Sequence, residues 1–208
     1  MKGYLKTNFG NSNKIKMKIS IEGNLASGKS TLVMKLQATT RIPTFLEPVD
    51  TWNFLGDFYR DPQRWGFTFN LEVLISMSRW AKNEYLSIYE RSPMSCRRVF
   101  TELHVEEGIM TFNELAIFDR IYKEFAWNQD VIIYVKTDPA ICYERMRQRN
   151  RICEQDVSLK YLEAIHQKHV EMMEYIERVH HDIRVFVVDG NRDAEEVYKN
   201  VLQIINGL

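Results

Sequence analysis

The sequence predicts an α/β protein in which helices cover both faces of a parallel β-sheet. Two observations carry this prediction. Short β-like runs alternate with longer helical ones from Met17 onward, and the runs at 132–135 and 185–188 are continuously apolar. The alternation is typical of parallel sheets, and a continuously apolar strand is typical of the sheet centre, where both faces are covered. We therefore expect both apolar runs to be central strands.

Each strand and the first helices have local signals. The candidate strands are residues 18–22, 44–47, 87–90, 131–135 and 185–188. Residues 31–37, directly after the first strand, favour a helix. A second helix is predicted to begin at Pro62, because Asp61 can cap its amino terminus and proline suits a first helical turn.

The helix that begins at Pro62 is predicted to be long. Apolar and small residues recur at spacings of three and four, which marks a stripe facing the core. This stripe consists of Phe67, Leu71, Leu74, Ser78, Ala81, Tyr85 and Ile88. Asn70, Val73 and Met77 form a neighbouring stripe. The second stripe either lines a cleft or, as far as Val73 and Met77 are concerned, simply packs in the core.

Four later helices are predicted at 113–127, 139–149, 158–178 and 193–205. The second of them ends in a cluster of cations, Arg145, Arg147, Arg149 and Arg151. Cations suit the carboxyl end of a helix because of its dipole, so a solvated helix end explains the cluster as well as a function does. The cluster becomes informative only beside a phosphate site.

Composition limits the classes of protein. The chain has 208 residues, 45% of them hydrophobic, with Lys plus Arg and Asp plus Glu equal at 28 each. Collagenous and wholly disordered chains are excluded, and no overall positive field favours a nucleic-acid polymer or an anionic membrane as partner. We expect one domain over 17–208 and a flexible tail over 1–16, whose lack of arginine argues against a transit peptide.

Cysteine usage and hydropathy indicate the compartment. Cys96, Cys142 and Cys153 are odd in number and far apart, which favours a reducing environment. No apolar run approaches the ~18 residues of a membrane span, and the first 16 residues lack the apolar segment of a signal peptide. We expect a soluble intracellular protein, cytoplasmic in the first place, with a mitochondrial location left open.

The strongest motif is a phosphate-binding loop. Residues 23–30 fit G-x-x-x-x-G-K-[ST] in full, between an apolar strand and a helix-prone run. The loop consists of Gly23, Asn24, Leu25, Ala26, Ser27, Gly28, Lys29 and Ser30, with Thr31 next. Its backbone amides and the helix dipole favour a phosphate, Lys29 adds a point charge, and Ser30 offers an oxygen to Mg²⁺. The motif predicts a nucleotide site on a P-loop NTPase-type fold.

The loop alone does not identify the phosphoryl acceptor. A GTPase would carry a guanine-reading Asn-Lys-x-Asp segment after a late strand. Residues 189–193, Asp-Gly-Asn-Arg-Asp, follow the last predicted strand and do not match it. A GTP switch is therefore disfavoured.

Several further segments occur in the order seen in the deoxynucleoside kinases. They are Ile-Glu-Gly-Asn at 21–24, Glu-Pro-Val at 47–49, Asp-Pro-Gln-Arg-Trp at 61–65 with Phe-Thr-Phe at 67–69, Glu-Arg-Ser at 90–92, and Arg-Asn-Arg at 149–151 followed by Leu-Lys-Tyr-Leu at 159–162. From Met17 to its end the chain resembles the group of deoxycytidine, deoxyguanosine, mitochondrial thymidine and insect multisubstrate kinases. The resemblance implies a five-stranded parallel sheet, a homodimer made through long helices, and transfer of the ATP γ-phosphoryl group to a deoxynucleoside 5′-hydroxyl.

The resemblance also implies roles for charged residues. Glu47 matches the general base, at a strand end where parallel-sheet sites form, although a lone strand-end glutamate is otherwise a surface carboxylate. Glu90 resembles a carboxylate that holds Mg²⁺ directly or through water. Arg91 resembles the cation that orients Glu47 and meets the developing phosphate charge; a structural ion pair is the rival interpretation.

Arginines and aromatic residues complete the implied site. Arg149 and Arg151 resemble lid arginines that close over the triphosphate, and Arg145 matches another arginine near the nucleotide. Tyr59 and Glu154 match residues that hold the sugar 3′-hydroxyl. Three residues match aromatics around the base: Trp52, Phe69 and Phe100. Without the resemblance, each of them would be interpreted as a core residue.

The base site departs from the family pattern. Asn70 stands where the family has a base-reading glutamine, which keeps the amide but shortens its reach by one methylene. A bridging water, a shifted base or a larger purine could fill the gap. Cys96 and Met77 replace an aspartate and an arginine of deoxycytidine kinase, which favours relaxed specificity for pyrimidines.

We therefore predict a deoxynucleoside kinase that uses ATP with Mg²⁺ and accepts thymidine and deoxycytidine. Two alternatives remain open at this point. One is a nucleoside monophosphate kinase, whose acceptor site would contain cations for the monophosphate. The other is a regulatory module that binds nucleotide but has lost catalysis, against which the intact Glu47, Arg91 and lid arginines argue.

Overall fold

The fold is an α/β sandwich, known from a computed structural model that describes residues 16–208. The strands are β1 (Lys18–Glu22), β2 (Thr44–Phe45), β3 (Ser87–Glu90), β4 (Val131–Lys136) and β5 (Arg184–Asp189). The α-helices are α1 (Lys29–Thr39), α2 (Leu55–Arg60), α3 (Pro62–Ser78), α4 (Pro93–Ser95), α5 (Glu102–Glu106), α6 (Phe112–Phe125), α7 (Pro139–Arg149), α8 (Leu159–Val179) and α9 (Ala194–Asn206). Two 3₁₀ turns (Val49–Thr51 and Ile152–Glu154) and a π-helix (Cys96–Thr101) complete the elements.

The five strands form one parallel sheet in the order β2-β3-β1-β4-β5. The predicted five-stranded parallel sheet is therefore confirmed. β1 lies in the middle and its two neighbours, β3 and β4, come later in the chain on opposite sides. The strand order reverses beside β1, and ligands of open α/β sheets bind beyond the carboxyl ends of the strands at such a point.

Both faces of the sheet centre are covered. On one face Ile19 and Ile21 of β1 pack with Leu36 of α1 and Val201 of α9, all fully buried. On the other face β4 packs against α8. Full burial on both faces explains why β4 is a continuous apolar run.

β5 corrects one prediction from the apolar runs. The run at 185–188 was expected to be central, but β5 is an edge strand that pairs only with β4. Val187 is 60% exposed, so an apolar run did not require two covered faces here. β2 is also shorter than predicted, because pairing with β3 stops at Phe45 and leaves Glu47 beyond the strand.

Helix α3 begins at Pro62, as the capping residue Asp61 predicts, but it ends before the apolar stripe that was predicted to reach Ile88. Asp61 accepts a hydrogen bond from the backbone N–H of Arg64, with Pro62 in the first turn. The helix stops at Ser78, so Ala81, Tyr85 and Ile88 do not continue its core stripe, and Ile88 belongs to β3. The side chain of Asn83 donates to Ser87 Oγ and Tyr89 Oη, which holds the intervening turn against β3.

The two predicted stripes of α3 differ in burial. Leu74 of the first stripe is fully buried, whereas Phe67 and Leu71 are only half-buried. Asn70, Val73 and Met77 of the second stripe are all buried. The second stripe is therefore the better-covered face of the helix.

The remaining helices lie within a few residues of their predicted ranges. Thr111 and Glu114 form a capping box that starts α6, and the Ser158 side chain caps α8. The predicted tail lies outside the described residues except for Lys16, which pairs with Glu84. Within residues 16–208, no helix combines the length and the apolar character that crossing a membrane requires.

Candidate active site

A cavity of about 690 Å³ opens at the carboxyl ends of the strands, beside the reversal of strand order. One end is the phosphate loop and the start of α1, and the other end is an aromatic pocket between α2 and α3. Glu47, Glu90 and Arg91 line the cavity between these two ends. The cavity therefore joins an anion site to an apolar slot through a strip of charged groups.

The phosphate loop lies between β1 and α1 as predicted. Gly23 has φ +152° and Gly28 has φ +99°, and a Cβ on Gly23 would lie 2.7 Å from the carbonyl oxygen of Val135. Both positions therefore require glycine. Gly23 and Asn24 shape the loop without lining the cavity: Asn24 Nδ2 donates to the carbonyl of Leu162 (2.8 Å), which ties the loop to α8.

Lys29 extends across the phosphate loop. Its Nζ donates to the carbonyl of Asn24 at 2.6 Å and the side chain is buried. Burial, together with the nearby charge of Arg91, lowers the pKa of Lys29 to about 8. A phosphate in the loop would favour the charged ammonium, so the site is electrostatically suited to an anion.

A buried ion pair lies at the centre of the cavity. Arg91 Nε lies 3.1 Å from Glu47 Oε1, and its Nη1 donates to the carbonyl of Gly23 at 2.9 Å. The guanidinium also lies over the ring of Phe100, 4.7 Å from its centroid. Arg91 thus connects Glu47 to the phosphate loop. Burial raises the pKa of Glu47, against the opposing effect of Arg91.

Ser30 and Glu90 meet where a cation bound to phosphates would lie. Ser30 Oγ donates to Glu90 Oε1 at 2.6 Å, and Glu90 Oε2 accepts from the backbone N–H of Glu47 at 3.3 Å. Two hard oxygen ligands side by side, next to a phosphate loop, fit Mg²⁺, which keeps several waters and uses few protein groups. Among residues 16–208 no cluster of three or more His, Cys, Asp or Glu is arranged to hold a metal.

The predicted lid arginines converge on one carboxylate. Glu154, in the 3₁₀ turn after α7, is buried and contacts Arg149 Nη2 (2.5 Å) and Arg151 Nη1 (3.5 Å). Arg145 donates instead to the carbonyl of Gly190 (3.1 Å) and lies beside the loop. Glu154 and three arginines of the cluster, Arg145, Arg149 and Arg151, line the cavity. Arg147 does not line it and donates to the carbonyl of Gln155 (2.9 Å). The cluster at the end of α7 is therefore not simply a solvated helix end.

The far end of the cavity is an aromatic slot. Trp52 and Phe69 meet edge to face, with centroids 5.7 Å apart, and Phe58 stacks on Phe69 behind them. The cavity wall also includes Tyr59, Asn70, Val73, Cys96 and Phe100. Burial raises the pKa of the Cys96 thiol to about 12, so Cys96 is neutral and adds no charge to the slot.

Met77 is the predicted substrate-binding residue that the structure places elsewhere. It is fully buried in the aromatic cluster behind the cavity and does not line it. Periodicity placed Met77 on the same face as Asn70 and Val73, but its position in the last turns of α3 leaves it deeper than the slot. The packing interpretation of Met77 is therefore correct.

Sequence reasoning missed residues at the nucleotide end of the cavity. Gln148, Gly190 and Arg192 line it beside Arg145. A Cβ on Gly190 would lie 2.0 Å from Thr137 Oγ1, so only glycine fits where the chain leaves β5. The available signal was a glycine two residues after the last predicted strand.

The comparisons with known proteins agree with this geometry. A family model described as deoxynucleoside kinase matches residues 19–208. The probable deoxycytidine kinase FPV151 of fowlpox virus is 35% identical over 191 residues, covering 86% of this chain and 80% of that protein. Thymidine kinase 2, mitochondrial, of Homo sapiens is 35% identical over 168 residues, covering 74% of this chain and 63% of that protein.

A solved structure shares the fold. The structure of deoxyadenosine kinase from M. mycoides with bound dCTP matches with a TM-score of 0.81, covering 92% of this chain and all of that one. Its sequence identity is 21%.

Proposed function

The chain belongs to the deoxynucleoside kinase family, and from this premise we propose that it transfers the γ-phosphoryl group of ATP to the 5′-hydroxyl of pyrimidine deoxynucleosides with relaxed base specificity. The match over 19–208 confirms the family that the sequence resembles. Members of this family are ATP-dependent kinases. The finer proposal concerns the roles of individual residues and the choice of base.

The observation that carries the proposed mechanism is the buried Arg91, which contacts both Glu47 and the phosphate loop. Glu47 removes the proton of the 5′-hydroxyl. The hydroxyl oxygen bonds to the γ-phosphorus while the bond from that phosphorus to the β-phosphate oxygen breaks, which releases ADP. Lys29, Arg91 and the lid residues Arg149 and Arg151 offset the charge on the transferred group, the main requirement of phosphoryl transfer.

We assign Mg²⁺ to Ser30 and Glu90 on the fit described above. Mg²⁺ held by Ser30 and Glu90 would supply neutralisation of part of the phosphate charge. The protein's own contribution is to hold the two oxygens together (2.6 Å) and to tie Glu90 to the backbone of Glu47. The cation site and the general base are therefore positioned by one carboxylate.

The slot favours uncharged planar bases. Trp52, Phe69 and Phe100 offer ring contacts, and the neutral Cys96 places no charge against either pyrimidine. Tyr59 and Glu154 both line the cavity, which supports their assignment to the sugar 3′-hydroxyl. Relatives named as a thymidine kinase and a probable deoxycytidine kinase, similar to this chain at equal identity, support acceptance of both pyrimidines.

An acceptor panel tests the proposal. ADP release is measured with ATP, Mg²⁺ and each of the four common deoxynucleosides, and we expect turnover with thymidine and with deoxycytidine. Activity on purine deoxynucleosides alone would overturn the base preference. Thymidine monophosphate is included, because turnover with it in place of thymidine would indicate a monophosphate kinase. ADP release that does not depend on an added nucleoside would contradict the kinase assignment.

We also propose a homodimer through the long helices. α3 and α6 pack together, and they leave Ile75 (55% exposed), Phe112 (80%) and Ile117 (38%) at the surface. Exposed apolar side chains on two helices that pack together favour a second copy of the chain. Light scattering after gel filtration should give the dimer mass for the wild type and the monomer mass for Ile75→Glu/Ile117→Glu. A monomeric wild type would contradict the proposal.

The compartment is a further proposal. All three cysteines are free thiols and two of them are buried, which favours a reducing environment. We propose the cytoplasm, with the mitochondrion as the alternative.

A further inference from the structure

The amide of Asn70 is held by the protein at its nitrogen. Nδ2 donates to the carbonyl of Gly66 at 2.6 Å and lies 2.7 Å from Nδ1 of His104. An amide nitrogen has two hydrogens, so these two contacts use its whole donor capacity. Asn70 is 2% exposed and lines the cavity beside the aromatic slot.

The contact with Gly66 fixes which way the amide points. If the amide were flipped, Oδ1 would face the Gly66 carbonyl oxygen at 2.6 Å, and two acceptors would repel each other. Nδ2 must therefore face both Gly66 and His104. Nδ1 of His104 is then an acceptor, and the ring proton lies on Nε2, which contacts Tyr161 Oη at 3.1 Å.

His104 is held in this neutral form. It is 1% exposed, and its ring packs 4.9 Å from that of Phe58, behind the slot. Burial lowers the pKa of His104 to about 3, so the ring carries one proton at any working pH. Its Nδ1 consequently keeps a lone pair for Asn70.

The remaining polar atom of the Asn70 side chain is Oδ1. Thr101 Oγ1 lies 3.1 Å from Oδ1 and 2.9 Å from the carbonyl of Cys96. Thr101 has one hydroxyl proton, which can serve only one of these two acceptors. Even when it serves Oδ1, one lone pair of that oxygen is left.

We propose that His104 is a specificity-determining positioning residue that makes Asn70 an acceptor-only group toward the nucleoside base. The inference rests on the proposed function and deepens it. An acceptor requires only an N–H on the base edge, and thymine and cytosine both have one, at N3 and at the 4-amino group. An acceptor-only amide can therefore pair with either pyrimidine without turning over, in line with the proposed acceptance of both.

The test compares deoxycytidine with its 2-pyrimidinone analogue, the same deoxyriboside without the 4-amino group. The analogue has no N–H on its base edge, so it would leave the remaining lone pair of the buried Oδ1 without a donor. Wild-type kcat/KM should favour deoxycytidine by about tenfold or more. His104→Phe keeps a ring on Phe58 but leaves one buried Asn70 N–H without an acceptor. This favours rotation of the amide away from Gly66, so that an N–H meets the N3 lone pair, which both nucleosides have, and the preference should fall to about twofold.

A conservative variant controls for a merely structural role. His104→Asn places a carbonyl oxygen near the position of Nδ1, so it should stay within about threefold of the wild-type preference. Loss of the preference in both variants would show that His104 acts only through packing. An unchanged preference in His104→Phe would show that His104 does not control the amide. Either result would overturn the inference.

Two readouts separate this inference from the proposed function. Nitrogen-15 NMR should find the His104 proton on Nε2, and a proton on Nδ1 would overturn the inference whether or not the protein is a kinase. The preference can also be measured as a ratio of equilibrium dissociation constants for the two nucleosides. A protein that binds with the expected ratio but phosphorylates neither would contradict the proposed function and support the role of His104.

Discussion

Arg91 shows how much of the site depends on a single side chain. It is buried, its backbone has φ +66° and its guanidinium contacts Glu47, the Gly23 carbonyl and the ring of Phe100. A non-glycine residue in this left-handed region costs of order 1–3 kcal/mol and persists only when its surroundings determine it. The three contacts do so here. Glu47 is consequently oriented by a fixed partner, which in the proposed mechanism reduces reorganisation.

Replacing the proposed general base, Glu47, should remove turnover with little effect on nucleoside binding. In Glu47→Gln the amide oxygen can still accept from Arg91, but the side chain cannot take a proton. We expect kcat with thymidine to fall by about 10²–10⁴-fold, and KM to change by less than threefold, on the order of 0.6 kcal/mol. A coupled assay for ADP measures both.

The matched control is Glu174→Gln, which changes an exposed carboxylate on α8 and should leave both constants unchanged. Undiminished turnover in Glu47→Gln would remove Glu47 from the mechanism.

The pH dependence of the reaction should reflect the environment of Glu47. Burial raises the pKa of Glu47 above 4.5, opposed by Arg91 and reinforced by the charge of Glu90. A general base must be ionised, so kcat/KM for the nucleoside should be full above the raised pKa and fall tenfold per pH unit below it. The logarithm of kcat/KM plotted against pH tests this. A profile that stays flat down to pH 4.5 would contradict it.

The residues of the site differ in how visible they are in the sequence. The phosphate loop is a contiguous motif whose chemistry depends on its own backbone, so all of it could be predicted. The contact between Asn70 and His104 could not, because 34 residues separate them and only the packing of α5 against α3 brings them together. Met77 was misplaced because periodicity identifies a helix face but not which part of that face reaches a cavity.

At the scale of elements, local signals predicted starts better than ends. α3 starts at a cap formed by its own residues, whereas it ends at a turn that Asn83 attaches to β3. The end of α3 depends on this tertiary contact, and hydrophobic periodicity does not report tertiary contacts. The prediction that β5 is central was wrong for a related reason, because an apolar run does not determine which strands pair with it.

The glycine within α3 provides a test of element packing. A Cβ on Gly66 would lie 2.4 Å from Ile109 Cγ2. Alanine normally stabilises a helix interior by about 1 kcal/mol relative to glycine, but here the overlap should dominate, so Gly66→Ala should lower the free energy of unfolding by about 1–3 kcal/mol. Urea denaturation measures the change.

Gly56 of α2 supplies the matched control, because nothing lies within 4 Å of its added Cβ. Gly56→Ala should be neutral or stabilising by up to about 1 kcal/mol. Equal effects of the two substitutions would show that the contact with Ile109 does not matter.

At the scale of the whole molecule, the sheet order decides where the cavity forms. β1 lies between β3 and β4. The phosphate loop after β1 and the residues Glu90 and Arg91 at the end of β3 therefore meet at the same cavity. The alternating pattern predicted parallel strands but not their order. Strand order depends on long-range pairing, which short patterns do not encode.

Acid stability should depend on a buried histidine of the core. His169 is fully buried and stacks on Tyr134, with ring centroids 5.6 Å apart. Burial, with a smaller effect of Arg91, lowers its pKa well below 6.5. Below about pH 6.5 the unfolded chain therefore binds a proton that the folded chain does not, and stability is lost by about 1.4 kcal/mol per pH unit as pH falls.

The variant His169→Phe keeps the stacked ring without a titrating group. Its free energy of unfolding, measured in urea from pH 7 to 4.5, should depend less on pH than that of the wild type by about 1.4 kcal/mol per unit. Substitution of the exposed His181 by glutamine should leave the wild-type slope unchanged. Equal slopes for His169→Phe and the wild type would contradict the prediction.

The π-helix at Cys96–Thr101 determines which way the side chains of the following helix, α5 (Glu102–Glu106), point. A wide turn of this kind holds one residue more than an α-turn, and each residue advances an α-helix by about 100°. An unbroken α-helix through the same residues would leave Cys96 at the slot but rotate His104 by about 100° away from Asn70. The one-residue widening of this turn is therefore what lets a single helical segment bring Cys96 to the slot and His104 to Asn70.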